Sequence, residues 1–295
     1  MLAGKYRVRG MALLLLLSLV LLVSCSGKTQ AGLRVVVLDV GQSDAILVTQ
    51  GEHHLLIDTG TVSECEALLG NLSLYRVKSL DYLLLSHPHE DHAGNARAVI
   101  ERFNPGALLA SSAGSDETFY LTALEAAEKE SCPHNVMRKG ESFSLGEAKC
   151  EVLFAGDGGQ GDNNDSIVLR ITYRDCSFLF MGDAEQEVEE QLLQTCTAEQ
   201  LDCDFIKIGH HGSRKSSTIT FLSAVSPELA AISCGEDNSY GFPHKEVLER
   251  LAEVGAACRR TDQMGSLVYE CDGETLRYLD NTKVIARIPR KEELV

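Results

Sequence analysis

At 295 residues, 44% hydrophobic and 24% charged, the chain has globular composition and the length for one large domain or two small ones. Its 43 acidic residues against 27 basic ones give a formal net charge of −16, which disfavours a broad basic face for nucleic acid. A phosphodiester substrate is not excluded, because bound cations can carry the local positive potential.

The first 25 residues differ from the rest. Lys5, Arg7 and Arg9 precede an apolar run, Met11–Val23, too short for a comfortable membrane span but suited to the core of an export signal. The run ends in Leu22-Val23-Ser24-Cys25, which resembles a bacterial lipobox, in which the cysteine is lipidated and becomes the mature N-terminus. The alternative is a signal anchor with an incidental cysteine. Small Ser24 directly before Cys25, and the polar Ser26-Gly27 after it, favour the lipoprotein. The expectation is a signal peptide over 1–25, a linker over 26–32, and an extracytoplasmic protein held on the bacterial membrane by a lipid on Cys25. Removing the segment takes three basic and no acidic residues, leaving 24 against 43 and a net charge of −19. The nine other cysteines, Cys65 through Cys271, show no CxxC spacing and are odd in number. Neither a zinc knuckle nor a complete disulfide framework is indicated, and most read as core thiols.

After the linker, Leu33–Asp39, Asp44–Thr49 and His53–Ile57 read as strands separated by turn residues, with Asp58-Thr59-Gly60 closing the third. Leu80–Ser86 is a further short apolar strand, followed by a histidine-rich loop and a helix from Ala93 to Phe103. Residues 107–155 alternate strand and helix, with an acidic amphipathic helix near Asp116–Glu130. Ser166–Tyr173 and Cys176–Met181 flank Arg174-Asp175 as a hairpin that ends at Gly182-Asp183. Then follow a helix over 184–195, a strand Phe205–Ile208, a helix near Ser217–Val225, a strand Leu229–Ser233 and a helix His244–Val254. Two closing strands lie around Ala257–Arg260 and Ser266–Glu270, and the tail over 272–295 has no assignable role. Hairpins in both halves and alternating units between them suggest layered sheets covered by helices in one domain over 33–271.

Polar clusters fall at the C-terminal ends of these strands: Asp58, His87 to His92, Asp183 and His210-His211. Strand ends are rigid, and loops carried on a rigid sheet can converge on one pocket. Pro88 biases His87 toward an extended backbone, so His87 and His89 can point the same way and share a cation. Asp91 and His92 lie past Glu90 and could address a second. Imidazole and carboxylate suit zinc, manganese or iron better than calcium or magnesium. Asp183 supplies a carboxylate able to bridge two ions. Gly182-Asp183 alone is an ordinary turn signal; combined with His87–His92 and His210-His211 at strand ends it is not.

The pattern His87-Pro-His89-Glu-Asp91-His92, with Asp58, Asp183 and His210-His211-Gly212 in order, resembles the metallo-β-lactamase superfamily across residues 33–270. Within it, 37–45, 163–169, 208–213, 238–244 and 260–262 are similar to the extracellular hydrolase-like domain of ComEC-type DNA-uptake proteins. The resemblance implies an α/β fold, a four-layer αββα sandwich, with a two-metal site binding zinc or manganese in the cleft between the sheets. It further implies a hydrolase, a phosphodiesterase or DNase acting on extracellular nucleic acid through a metal-bound hydroxide. Rival readings are a hydrolase of another ester, such as phosphorylcholine, a lactone or a β-lactam, and a noncatalytic lipoprotein that binds metal or DNA.

Carried over by residue, His87, His89 and Asp183 would hold one metal, and Asp91, His92, Asp183 and His211 the other. Asp58 would orient the loop through hydrogen bonds. Asp91, His210 and His244 form the candidate catalytic set, with His210 contacting a substrate oxygen; the motif leaves open which of His210 and His211 ligates. His244 reads equally well as a helix N-terminal residue, and His53, His54 and His134 as surface or structural residues. Many superfamily members carry a further histidine before the bridging aspartate, where this chain has Asn163 to Ser166, as ComEC-like members do. That departure weighs against a β-lactamase. No membrane-channel helices accompany the domain in this sequence, so a role in DNA transport does not carry over.

Overall fold

Successive side chains of a strand face opposite ways, so an unbroken apolar run needs cover on both faces. The computed structural model, which describes residues 32–111, 117–157 and 163–287, meets that need with two sheets packed face to face and helices outside each. The export segment, Cys25 and linker residues 26–31 lie outside the described residues.

The strands are β1 (Leu33–Val37), β2 (Ile46–Gln50), β3 (His53–Ile57), β4 (Tyr82–Leu85), β5 (Ala107–Ala110), β6 (His134–Val136), β7 (Ser142–Leu145) and β8 (Ala148–Phe154). They continue with β9 (Val168–Tyr173), β10 (Cys176–Phe180), β11 (Phe205–Lys207), β12 (Leu229–Ile232), β13 (Ala257–Arg260), β14 (Leu267–Cys271) and β15 (Leu276–Leu279). The first sheet has the order β15-β14-β1-β2-β3-β4-β5-β6, and the second β13-β12-β11-β10-β9-β8-β7.

Period-two alternation sorts the apolar residues into three cores. Val35, Val37, Val48, Leu55, Phe178 and Phe205 meet between the sheets. Their neighbours Val36, Leu47 and Leu56 turn outward onto the helices Cys65–Leu74, Ala96–Phe103 and Thr118–Lys129. In the second sheet Leu179, Ile206 and Ala230 turn onto Gln186–Thr195, Ile219–Val225 and Lys245–Glu253. The result is the four-layer αββα arrangement expected, with the β9–β10 hairpin in antiparallel register from Tyr173↔Cys176.

Four details differ from the sequence reading. The first strand stops at Val37, which frees Leu38 to Ala45 as a loop. The helix expected from Ala93 starts earlier: His89, extended at φ −61 and ψ 154, caps a turn over Glu90–Ala93, and a separate helix begins at Ala96. The sheet also runs past residue 271, because β15 pairs antiparallel with β14 at the edge. Finally, Cys176 and Cys271 form a disulfide between the two sheets, while Cys65, Cys132, Cys150, Cys196, Cys203, Cys234 and Cys258 remain thiols. Burial pushes the Cys150 thiol up to about 12, as suits an inert core residue.

Candidate metal centre

Parallel strands β3, β4 and β5 of one sheet and β10 to β13 of the other aim their C-terminal ends at a common cleft. The loops there have backbone requirements of their own. Gly182, at φ +55, carries no Cβ because one would lie 2.9 Å from Ser166 Oγ and 3.0 Å from Ser86 Cβ. Gly182-Asp183 is therefore a close approach between the two sheets and more than a turn. His210 and His211 both hold left-handed backbone (φ 48 and 51), a conformation that costs a non-glycine residue roughly 1–2 kcal/mol and concentrates at functional sites.

Asp91, His92, Asp183 and His211 come together with one ligand atom from each, all within 4.8 Å of one another. Asp183 Oδ1 lies 3.2 Å from His92 Nε2 and 3.6 Å from His211 Nε2, and Asp91 Oδ2 lies 3.3 Å from His211 Nε2. His92 Nε2, His211 Nε2 and Asp183 Oδ1 are buried and without a hydrogen bond. Buried polar atoms are rarely left so, and three facing one point fit a cation between them. Beside them His87 Nε2 and His89 Nδ1 stand 3.1 Å apart, a spacing open to two nitrogens each about 2.0–2.1 Å from one ion. The residues thus fit the metal pair that the fold implies.

The surrounding hydrogen bonds set which nitrogen faces inward. Asp58 accepts the Ser86 N–H (2.7 Å) and Ser86 hydroxyl (2.7 Å) and pairs with His92 Nδ1 (2.8 Å), leaving His92 Nε2 toward Asp183. His211 Nδ1–H donates to the Ser233 carbonyl at 3.1 Å, so its Nε2 is the free acceptor. Asp183 is pinned in turn, its N–H donating to Ser166 Oγ at 2.9 Å.

The electrostatics follow the same geometry. Burial works against charge on His92, yet the carboxylates of Asp183, Asp58 and Asp91 outweigh it and hold its pKa well above the ordinary value. Burial likewise opposes ionisation of Asp183, but His92, His211 and His87 keep its carboxyl well below the usual range. His87, buried and next to His92, is held well below an ordinary histidine.

Of the two adjacent histidines, the structure brings His211 into the cluster and leaves His210 on the rim. His210 Nδ1 lies 3.0 Å from Glu185 Oε1, and its Nε2 lies 3.8 Å from Asp183 Oδ2. His244 precedes the helix Lys245–Glu253, accepts the Arg214 N–H at 3.1 Å and stands edge-on to Phe242, outside the cluster. His53, His54 and His134 engage Asp81, Thr49 and Tyr120 elsewhere. A cavity of about 690 Å³ lined by Arg34, His54, Tyr75 and Glu270 shares no residue with the cluster.

Two residues escaped the sequence reading as participants. Lys207, fully buried on the inter-sheet face of β11, donates to Asp44 Oδ2 at 2.8 Å and to the Ile208 carbonyl at 3.0 Å. Asp44 Oδ1 lies 3.5 Å from His211 Nδ1, behind the cluster. The only signal was Lys207 itself, a charge in the apolar stretch Phe205-Ile-Lys-Ile208. Lys207→Met is expected to destabilise the domain by about 3–5 kcal/mol, because it strands a buried carboxylate. Adding Asp44→Asn should recover much of that loss, as read by urea denaturation; equal losses in single and double variants would count against the pairing.

Fold and cluster together define an αββα domain with a candidate histidine–aspartate metal centre at its strand ends. Residues 38–124 match the metallo-beta-lactamase superfamily. That match takes in Asp58 and the His87–His92 loop. Among curated relatives, it is 29% identical over 253 residues to ComE operon protein 3 of Bacillus subtilis (strain 168), covering 79% of this chain and 32% of that protein. It is 34% identical over 240 residues to Competence protein ComA of Neisseria gonorrhoeae, covering 80% and 32%. The chain thus spans about a third of the length of these relatives. Among solved structures, the metallo-beta-lactamase fold protein YhfI of Bacillus subtilis superposes with a TM-score of 0.55 at 13% identity, over 81% of this chain and all of that one.

Proposed function

We propose that the protein is a metal-dependent phosphodiesterase that acts on nucleic acid outside the cytoplasmic membrane. The observation that carries this reading is the Asp91–His92–Asp183–His211 cluster, in which the buried inward atoms of His92, Asp183 and His211 lack hydrogen bonds, beside the His87–His89 pair. The relative named Competence protein ComA favours nucleic acid over other esters.

When bound, divalent ions such as zinc or manganese lower the pKa of a water to about 7 and stabilise charge at the attacked centre. The chain's own residues do the rest. Asp58 and the Ser233 carbonyl fix the tautomers of His92 and His211, so their Nε2 atoms stay available. Asp91, with a side chain 37% exposed beside buried histidines, is the carboxylate that reaches the cleft, and His92 and His211 keep it ionised against its burial, so it can orient a water and accept its proton transiently. His210, on the rim, is placed to donate to a substrate oxygen. Metal-replete protein should cleave an oligonucleotide and lose that activity on chelation, regaining it when zinc or manganese is restored. Stoichiometric metal without turnover of any phosphodiester would leave the noncatalytic reading standing instead.

The membrane tether rests on Ser24-Cys25 and belongs to the same proposal. Cys25→Ala is expected to release or mislocalise the protein on cell fractionation while the purified domain keeps its melting temperature. An uncleaved variant held as firmly by the membrane as the parent would point to a signal anchor.

A further inference from the structure

Between Gly235 and His244 a loop passes the rim of the metal centre and presents Tyr240 to solvent, 65% exposed. An aromatic side chain so exposed forfeits burial that folding would otherwise reward. It is nonetheless held in place. Its ring stacks on half-buried Phe242 at 5.4 Å between centroids and 17° between planes. Phe242 in turn lies edge-on to His210 at 5.5 Å and parallel to His211 at 6.5 Å. Two ring spacings therefore connect an open aromatic face to the rim histidine.

The loop's own hydrogen bonds keep that face in position. Asn238 Nδ2 donates to the carbonyls of Gly235 (3.0 Å) and Phe242 (2.7 Å), while its Oδ1 accepts the Phe242 N–H at 2.9 Å. Gln42 Oε1 accepts the Gly235 N–H at 3.0 Å, tying the loop to the β1–β2 connection of the opposite sheet. With the platform built before a ligand arrives, little ordering cost falls on binding.

We infer that Tyr240, backed by Phe242, is a stacking subsite for a nucleobase and directs the enzyme to single-stranded nucleic acid. The inference rests on the phosphodiesterase reading. Bases offer their faces only where they are unstacked, which a duplex denies at any position but a frayed end. Stacking also suits a chain with a net charge of −16. It supplies affinity without a basic groove, and every base has a π-face, so it carries little sequence preference.

The test uses two labelled oligomers of equal length, an oligothymidylate and its abasic counterpart, both with phosphorothioate linkages so that turnover does not obscure binding. Fluorescence anisotropy with the metal-loaded protein should show the base-bearing oligomer bound about tenfold or more tighter than the abasic one. That ratio should collapse toward one in Tyr240→Ala and persist in Tyr240→Trp, which keeps a stacking face. A ratio near one in the parent, or one that survives in Tyr240→Ala, overturns the subsite. Cleavage of the ordinary phosphodiester forms is read separately. A base preference in protein that cleaves neither oligomer upholds the platform and overturns the phosphodiesterase reading; cleavage of both without base preference does the reverse.

Discussion

Asp183→Asn protein is expected to lose phosphodiester turnover by on the order of a thousandfold or more, whereas His244→Ala should lose about tenfold or less. Asp183 is the carboxylate proposed to serve both metal sites. Its Oδ1 faces both His92 and His211, and its backbone is pinned by Ser166 beneath Gly182, where only glycine fits. Asparagine keeps the shape and that backbone contact, so the fold should survive while the charge is lost. Without it, two proposed metal sites weaken together. His244 by contrast stands behind Phe242 and contacts the loop through Arg214, so its removal leaves the cluster intact. The check is bound metal and initial rate on the same samples. Near-normal activity in metal-replete Asp183→Asn protein would rule out the shared role.

Much of this centre was legible because its residues come in short runs at strand ends. His87 to His92 lie within six positions, and Asp58, Asp183 and His211 each follow an apolar strand whose period could be read directly. Sheets covered on both faces were legible as well, because strands such as Tyr82–Leu85 are apolar at every position; the four-layer order came through the family resemblance. What stayed hidden depends on pairing across the sheets. Lys207 and Asp44 are 163 residues apart, and Cys176 and Cys271 are 95 apart, and neither separation leaves a local pattern. The helix Cys65–Leu74 buries only Leu68 and Leu72 and is interrupted by Gly70, so its period is faint. β15 is a four-residue edge strand in a mixed-charge tail and exists through its partner β14. Tyr240 was missed for another reason: an exposed tyrosine is ordinary until the ring behind it is known.

Metal is expected to load in two steps, the first equivalent at Asp91, His92, Asp183 and His211 and activity only with the second. The four-donor group is the more complete one, and its two imidazoles are oriented by Asp58 and by the Ser233 carbonyl. Partners of that kind are typically worth about 10–100-fold in metal affinity. His87 and His89 offer two nitrogens, with Asp183 proposed as their third donor, and fewer protein donors leave an open position where a substrate oxygen can enter. The first step should also depend on pH. In the metal-free protein the surrounding carboxylates raise the His92 pKa despite its burial, so below that raised value the ion must displace a proton from Nε2. His211, another donor of this group, is likewise raised by Asp183 and Asp44 against its burial, so apparent affinity should rise at least about tenfold per pH unit below the raised values and level off above them. Titrating apo protein, with His87→Ala and His92→Ala in parallel, and following bound metal and cleavage together, decides the matter. If His87→Ala loses the tight equivalent while His92→Ala keeps it, the order is reversed; if full activity arrives with one equivalent, two-metal catalysis fails.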